Sequence, residues 1–338
     1  MKKLLMVLVA LVAVVSLAAC KGKEYKLGMG VVVSTASTKA GNAQVDATVA
    51  AVVTDSEGKI VAARIDVAQN KVKVSEAGVL TVPEKFETKM ELGSRYGMAG
   101  KVDNDENGTM LEWDAQTKAF EEHVIGMTGA EVAAMETVEA KGHQISTDAD
   151  LLAAGCSMQI TDFMAAVAAA CADEQGVTFK AKKFTLGVAA NSYNSGSTDA
   201  SADKAGAVQV YTDFGAAVVA DGKIVAALND CIQPKIAVAA DGTLTPSYKN
   251  TKRVLKGEYG MAGKVDNDEN GTMLEWFEQS AAFSAHVVGM TAEEVAAMET
   301  VEAKGHQIST DADLLAAGCS MEITGLKAAV AKAATNAR

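Results

Sequence analysis

Two short segments hold the residue types that could do chemistry, and each occurs twice. The first is Asp103-Asn104-Asp105-Glu106-Asn107-Gly108, repeated as Asp266 to Gly271. Oxygen ligands at alternate positions (Asp103, Asp105 and Asn107; Asp266, Asp268 and Asn270) before a turn glycine form the first half of a calcium loop. The second half departs from that pattern: its twelfth position is Asp114 or Phe277 where a bidentate Glu is expected, and Glu112 and Glu275 stand at the tenth. A solvated polar turn is the alternative. The second segment is Gly155-Cys156-Ser157-Met158, repeated as Gly318 to Met321. Its glycine would let backbone approach an anion, and the N–H groups opening the next helix would favour a phosphate. A helix C-cap followed by a Ser or Thr N-cap explains the same residues.

Both segments belong to one larger repeat. The string from Tyr96 to Trp113 recurs at Tyr259–Trp276 and that from Glu131 to Met158 at Glu294–Met321, each 163 positions on. A constant spacing of this length marks the duplication of a whole small domain rather than a solenoid turn. Each unit opens with strand-like sequence. Val45–Val53 and Lys59–Val67 flank the turn at Thr54–Gly58, and Ala207–Val219 and Lys223–Leu228 flank Ala220-Asp221-Gly222. Further strands are expected at Lys71–Val74 and Gly78–Val82, and the short connections imply an antiparallel meander. The period then changes. Leu111–Ile125 and its twin read as helices, Thr128-x-x-Glu131 and Thr291-x-x-Glu294 have capping-box spacing, and Asp148–Ala154 ends at Gly155. Ala-rich helices close the units at Thr161–Ala172 and Thr324–Ala334. The expected class is α+β: two tandem homologous domains, each an antiparallel β-meander followed by packed helices.

The chain begins with Lys2 and Lys3, an apolar run to Ala19, and Leu17-Ala18-Ala19-Cys20. This is an export signal, and its ending resembles the bacterial lipobox, which implies lipidation of Cys20. The expected organisation is a signal at 1–20, a tether at 21–26, repeat one at 27–173, a linker at 174–184 and repeat two at 185–338. Acyl chains would hold the protein on the extracytoplasmic face of a bacterial membrane. A net charge of −12 argues against nucleic acid. Cys156 and Cys319 are twins, whereas Cys171 and Cys231 match no cysteine in the other repeat, so buried thiols are expected rather than a disulfide framework. No Ser/His/Asp arrangement, zinc signature or P-loop is read, and the chain is not obviously an enzyme.

The meander with its Asp221-Gly222-Lys223-Ile224 turn, the Tyr96-Gly97-Met98 segment, the helix carrying Glu112-Trp113 and Phe120, and the small-residue turn before an Ala/Val helix together resemble the FMN-binding domain family. The likeness covers both repeats as an order of elements. It implies extracytoplasmic flavin domains of membrane redox systems, with FMN esterified to a hydroxyl that maps to Ser157 and Ser320, and glycines that map to Gly155 and Gly318. The sequence departs from the family motif: its first Ser is Ala154 or Ala317, its Ala is Cys156 or Cys319, and its upstream Asp falls on Leu151 or Leu314. Tyr96, Trp113, Tyr259 and Trp276 are candidate stacking surfaces for the flavin ring, and core positions by the alternative reading. The resemblance implies a flavin-dependent electron carrier with a redox protein partner. The rival is a cofactor-free binding or structural surface lipoprotein, stabilised by Ca²⁺ in one variant.

Overall fold

The computed structural model describes residues 22–338; Cys20 and the expected export signal lie outside the described residues. The fold is mixed α/β with antiparallel sheets. The first half runs β1 (Lys23–Ser34), β2 (Asn42–Thr54), β3 (Ile60–Val74), β4 (Leu80–Thr81), α1 (Lys89–Leu92), α2 (Trp113–His123), α3 (Gly129–Ala133), β5 (Thr137–Ala140), β6 (His143–Ser146), α4 (Ala149–Ala153) and α5 (Thr161–Cys171). After β7 (Val177–Ala181), the second half runs β8 (Thr185–Asn194), β9 (Gly206–Val208), β10 (Val210–Ala220), β11 (Lys223–Ile232), β12 (Lys235–Val238) and β13 (Leu244–Ser247). It continues with α6 (Lys252–Leu255), α7 (Trp276–His286), α8 (Ala292–Ala296), β14 (Thr300–Ala303), β15 (His306–Ser309), α9 (Ala312–Ala316) and α10 (Thr324–Thr335).

The strands assemble as β4-β3-β2-β1-β7, β11-β10-β8 and β13-β12-β9, with hairpins β5-β6 and β14-β15. Alternation along β2 shows why its sequence is apolar almost throughout. Val45, Ala47, Val49, Ala51 and Val53 point into a core shared with Leu186, Phe214 and Val218 of the second half. Ala50 and Val52 point the other way, toward Phe120, Phe163 and Val167. A strand buried on both faces loses the apolar/polar alternation of a half-exposed one. The result is four layers: α5 outside the first sheet, the two main sheets face to face, and α10 outside the second.

Glycines set the distance from sheet to helix. A Cβ at Gly30 would overlap the Ala166 carbonyl and the Ala170 nitrogen of α5, and one at Gly215 would overlap Ala329 of α10. The Ala-rich faces of these helices therefore settle on bare backbone.

The expected hairpins, the capping boxes at Thr128 and Thr291 and the Ala-rich helices all form. Strand bounds differ from expectation in both directions. Lys71–Val74 is the end of a longer β3, and Gly78–Val82 contributes only β4. Residues Lys23–Lys26 of the expected tether lie in β1, paired with Thr178–Ala181, so this stretch and the expected 174–184 linker are tied into the sheet of the first half. The hairpins β5-β6 and β14-β15 were not expected; their Thr-Val-Glu-Ala and His-Gln-Ile-Ser strands are too short for a clear period.

Candidate functional site

The two chemical segments of the sequence meet in space. Ser157 Oγ accepts the Asn104 N–H at 3.4 Å, Asn104 Nδ2 donates to the Ser157 carbonyl at 2.8 Å, and the Ser157 N–H donates to Gln116 Oε1 at 3.1 Å. Asn267, Ser320 and Gln279 repeat this at 3.4, 2.8 and 3.0 Å. Ser157 and Ser320 are each only 3% exposed, so the two candidate acceptor hydroxyls face inward. The glycines serve a local purpose. Gly155 has φ +89°, its N–H donates to the Leu152 carbonyl, and the Cys156 N–H reaches back to Leu151. This is the Schellman closure of α4, and Gly318 does the same for α9. Burial pushes the Cys156 and Cys319 thiols up to about 12, which leaves them inert as nucleophiles.

In the acidic loop Asn107 donates to the Asp105 carboxylate at 3.0 Å, as Asn270 does to Asp268 at 3.1 Å. Burial pushes the Asp105 carboxyl up, but hydrogen bonding with Asn107 and Asp103 brings it below the ordinary range, and Asp268 follows the same pattern. Lys141 supplies the loop with positive charge, donating to the Asp103 carbonyl at 2.7 Å and lying 3.5 Å from Glu106; Lys304 repeats both contacts. One oxygen each of Asp103 and Asp266, Oδ1, is buried without a hydrogen-bond partner among the described residues. Among the described residues no group of three or more His, Cys, Asp or Glu side chains could hold a metal ion.

The four candidate aromatics form two pairs, each gathered around its own lysine. Lys89 Nζ lies 4.9 Å from the Tyr96 ring centroid and 5.6 Å from that of Trp113; Lys252 stands 4.9 and 5.3 Å from Tyr259 and Trp276. Each indole is a core group, and Trp113 meets Phe163 edge to face at 5.9 Å. The lysine occupies positions over the rings that attract a cation through their quadrupoles. Glu112 fixes the adjoining segment by accepting the Met98 and Ala99 N–H groups at 3.1 and 3.0 Å, and Glu275 does so for Met261 and Ala262.

Beside Lys252 a cavity of about 860 Å³ opens, bordered by Tyr193, Tyr211, Asp213, Tyr259, Trp276 and Met321 among others. That volume lies in the range of small-molecule sites. Asp213 and Lys252 are its buried charged groups. Burial raises the Asp213 carboxyl, while Cys231, Lys252 and Tyr193 oppose the shift. Burial also works against the Lys252 ammonium, but Cys231, Tyr259 and Asp213 outweigh it and hold that group above its ordinary value. Neither residue was singled out from sequence. The available signal was Asp213 itself, an acid in the middle of an apolar strand. Lys252 stood out only by its place 163 residues after Lys89, behind the twin caps Thr88 and Thr251.

Comparison with protein-family models, with curated proteins and with solved structures finds no match to this chain.

Proposed function

We propose that the chain is a lipid-anchored extracytoplasmic lipoprotein of two tandem homologous FMN-binding-like domains, acting as a flavin-dependent electron carrier or redox partner. In this reading the flavin is held without a covalent bond, in the cleft of the second half. The observation that carries it is the cleft itself, which places Tyr259, Trp276 and Lys252 beside the Met321 turn in a space large enough for a fused ring system. An aromatic wall with a cation suits a planar, anionic cofactor. The inward Ser157 and Ser320 hydroxyls favour non-covalent over esterified flavin.

The soluble chain lacking residues 1–20, titrated with FMN, should quench flavin fluorescence saturably with one site per chain, and intact mass should show no added flavin. Absence of binding at millimolar FMN would sink the carrier reading.

The second reading is a cofactor-free binding or structural surface lipoprotein, with calcium as a stabiliser. The unpartnered Asp103 and Asp266 oxygens favour a role for a cation in it. A melting temperature raised by millimolar Ca²⁺ and not by Mg²⁺, with the rise lost in Asp103→Asn/Asp266→Asn, would support it; no calcium-dependent shift would remove it.

A further inference from the structure

The two halves build one charged arrangement from different elements. Asp213 on β10 is 5% exposed, and a Cβ at Gly325 in α10 would overlap its carboxylate. The cross-strand register identifies its counterpart: Asp213 pairs with Cys231, just after Asp230, and Thr48 pairs with Val67, just after Asp66. Thr48 therefore stands where the second half has Asp213, and Asp162 stands where it has Gly325. The carboxylate comes from the strand in one half and from the helix in the other. Burial raises both carboxyls, and the stacked lysine acts against it in each, Lys252 on Asp213 and Lys89 on Asp162, the latter also against Asp46. Carboxylate, ammonium and aromatic pair have thus survived a change at both supporting positions.

In the second half this pair borders the large cavity. The Asp213 carboxylate has Tyr193 and Cys231 as hydrogen-bonding neighbours, while Ser192 pairs with Thr212 and the Cys231 N–H donates to Asp230. Tyr193 and Tyr211, tilted 69° with centroids 6.1 Å apart, form part of the wall. A buried acceptor beside a buried donor matches a ring edge that alternates in the opposite sense.

We propose that Asp213 and Lys252 read the edge of a planar ring in which an N–H lies between two carbonyls, with Asp213 accepting from the N–H and Lys252 donating to a carbonyl. This is the cyclic imide edge of a flavin and equally of a uracil ring. A free amino acid also offers both charges but would leave most of the cavity to water. The inference rests on the cleft being the ligand site of the proposed function, and it adds which residues choose the ligand.

The test compares FMN, FMN methylated on its imide nitrogen, and uridine monophosphate on the soluble chain lacking residues 1–20 by calorimetric titration. Methylation needs no variant, so folding cannot confuse the result. The expected outcome is binding of FMN that weakens about 10-fold or more on methylation, since a hydrogen bond to a buried charged group is lost. Asp213→Thr, which installs the first half's residue, should weaken FMN by a similar factor and abolish discrimination against the methylated form. Equal binding of FMN and methylated FMN by the native chain would overturn the inference and leave the flavin reading standing. Binding of uridine monophosphate alone, dependent on Asp213, would uphold the inference and overturn the flavin. Binding of none of the three would overturn both.

Discussion

Arg253 and Asp173 form a charge pair that ties the halves together, with nitrogen–oxygen distances of 3.0 and 3.2 Å and side chains 6% and 9% exposed. Asp173 also accepts the Met29 N–H at 3.1 Å. Removing one partner leaves a buried charge and an unpaired donor, so Asp173→Ala should cost about 3–5 kcal/mol in urea unfolding. A loss below about 1 kcal/mol would show the pair to behave as a surface one. Buried acids give the pH dependence. Asp230 is fully buried and its carboxyl is raised, by burial first, against the attraction of Arg253 and hydrogen bonds from Thr251 and the Arg253 and Cys231 N–H groups. A folded value above the unfolded value of about 3.9 means stability is fully present below that pH and lost as pH rises through the folded value. Asp230→Asn keeps an acceptor for both N–H groups and should flatten that decline; an unchanged pH profile would contradict the assignment. Glu131 has the opposite sign: Lys59 first, then Thr128, holds it down to about 2, so its contribution is present above the ordinary Glu range and lost as pH falls through about 2.

At the scale of elements, helix docking rests on glycine. Gly30→Ala drives a methyl into the backbone of α5, whereas Gly58→Ala, at φ +75° with nothing within 4 Å, meets only dihedral strain. Strain of that kind costs about 1–2 kcal/mol, and overpacking against backbone should cost about 3 kcal/mol or more. Equal shifts of the urea midpoint would show that the helix gives way. The elements were legible where the signal was local. Thr128 with Glu131 and Asp148 with Gly155 named both helix ends, because caps are satisfied within a few residues. The cleft was not legible. Asp213, Lys252 and Gly325 are far apart in sequence and meet only after β10, α6 and α10 have docked. The duplication drew attention to the identical strings instead, and these place Ser157 and Ser320 inside the fold, where they bond to Asn104 and Asn267.

For the whole molecule, the shared layer decides how the halves stand and fall. Leu27, Val49 and Val53 from one half and Leu186, Phe214 and Ile232 from the other belong to one apolar cluster. Lys332 of α10 reaches Glu91 at 2.8 Å, and Arg338 reaches the buried Glu121 at 2.7 Å. Splitting the halves would expose that layer to water at about 25 cal/mol for each Å², so neither has a complete core of its own. The expected behaviour is a single transition despite the internal repeat. The chain has two tryptophans, Trp113 in the first half and Trp276 in the second, so Trp276→Phe and Trp113→Phe each leave one reporter. Urea unfolding followed by either indole should give the same midpoint once corrected for the cost of its own substitution. Phe214→Ala, at a site with no exposure in the shared layer, should lower both midpoints together by about 3–5 kcal/mol. A midpoint that moves for Trp276 and stays for Trp113 would mean that the first half holds its core alone, and that the duplication left two independent domains.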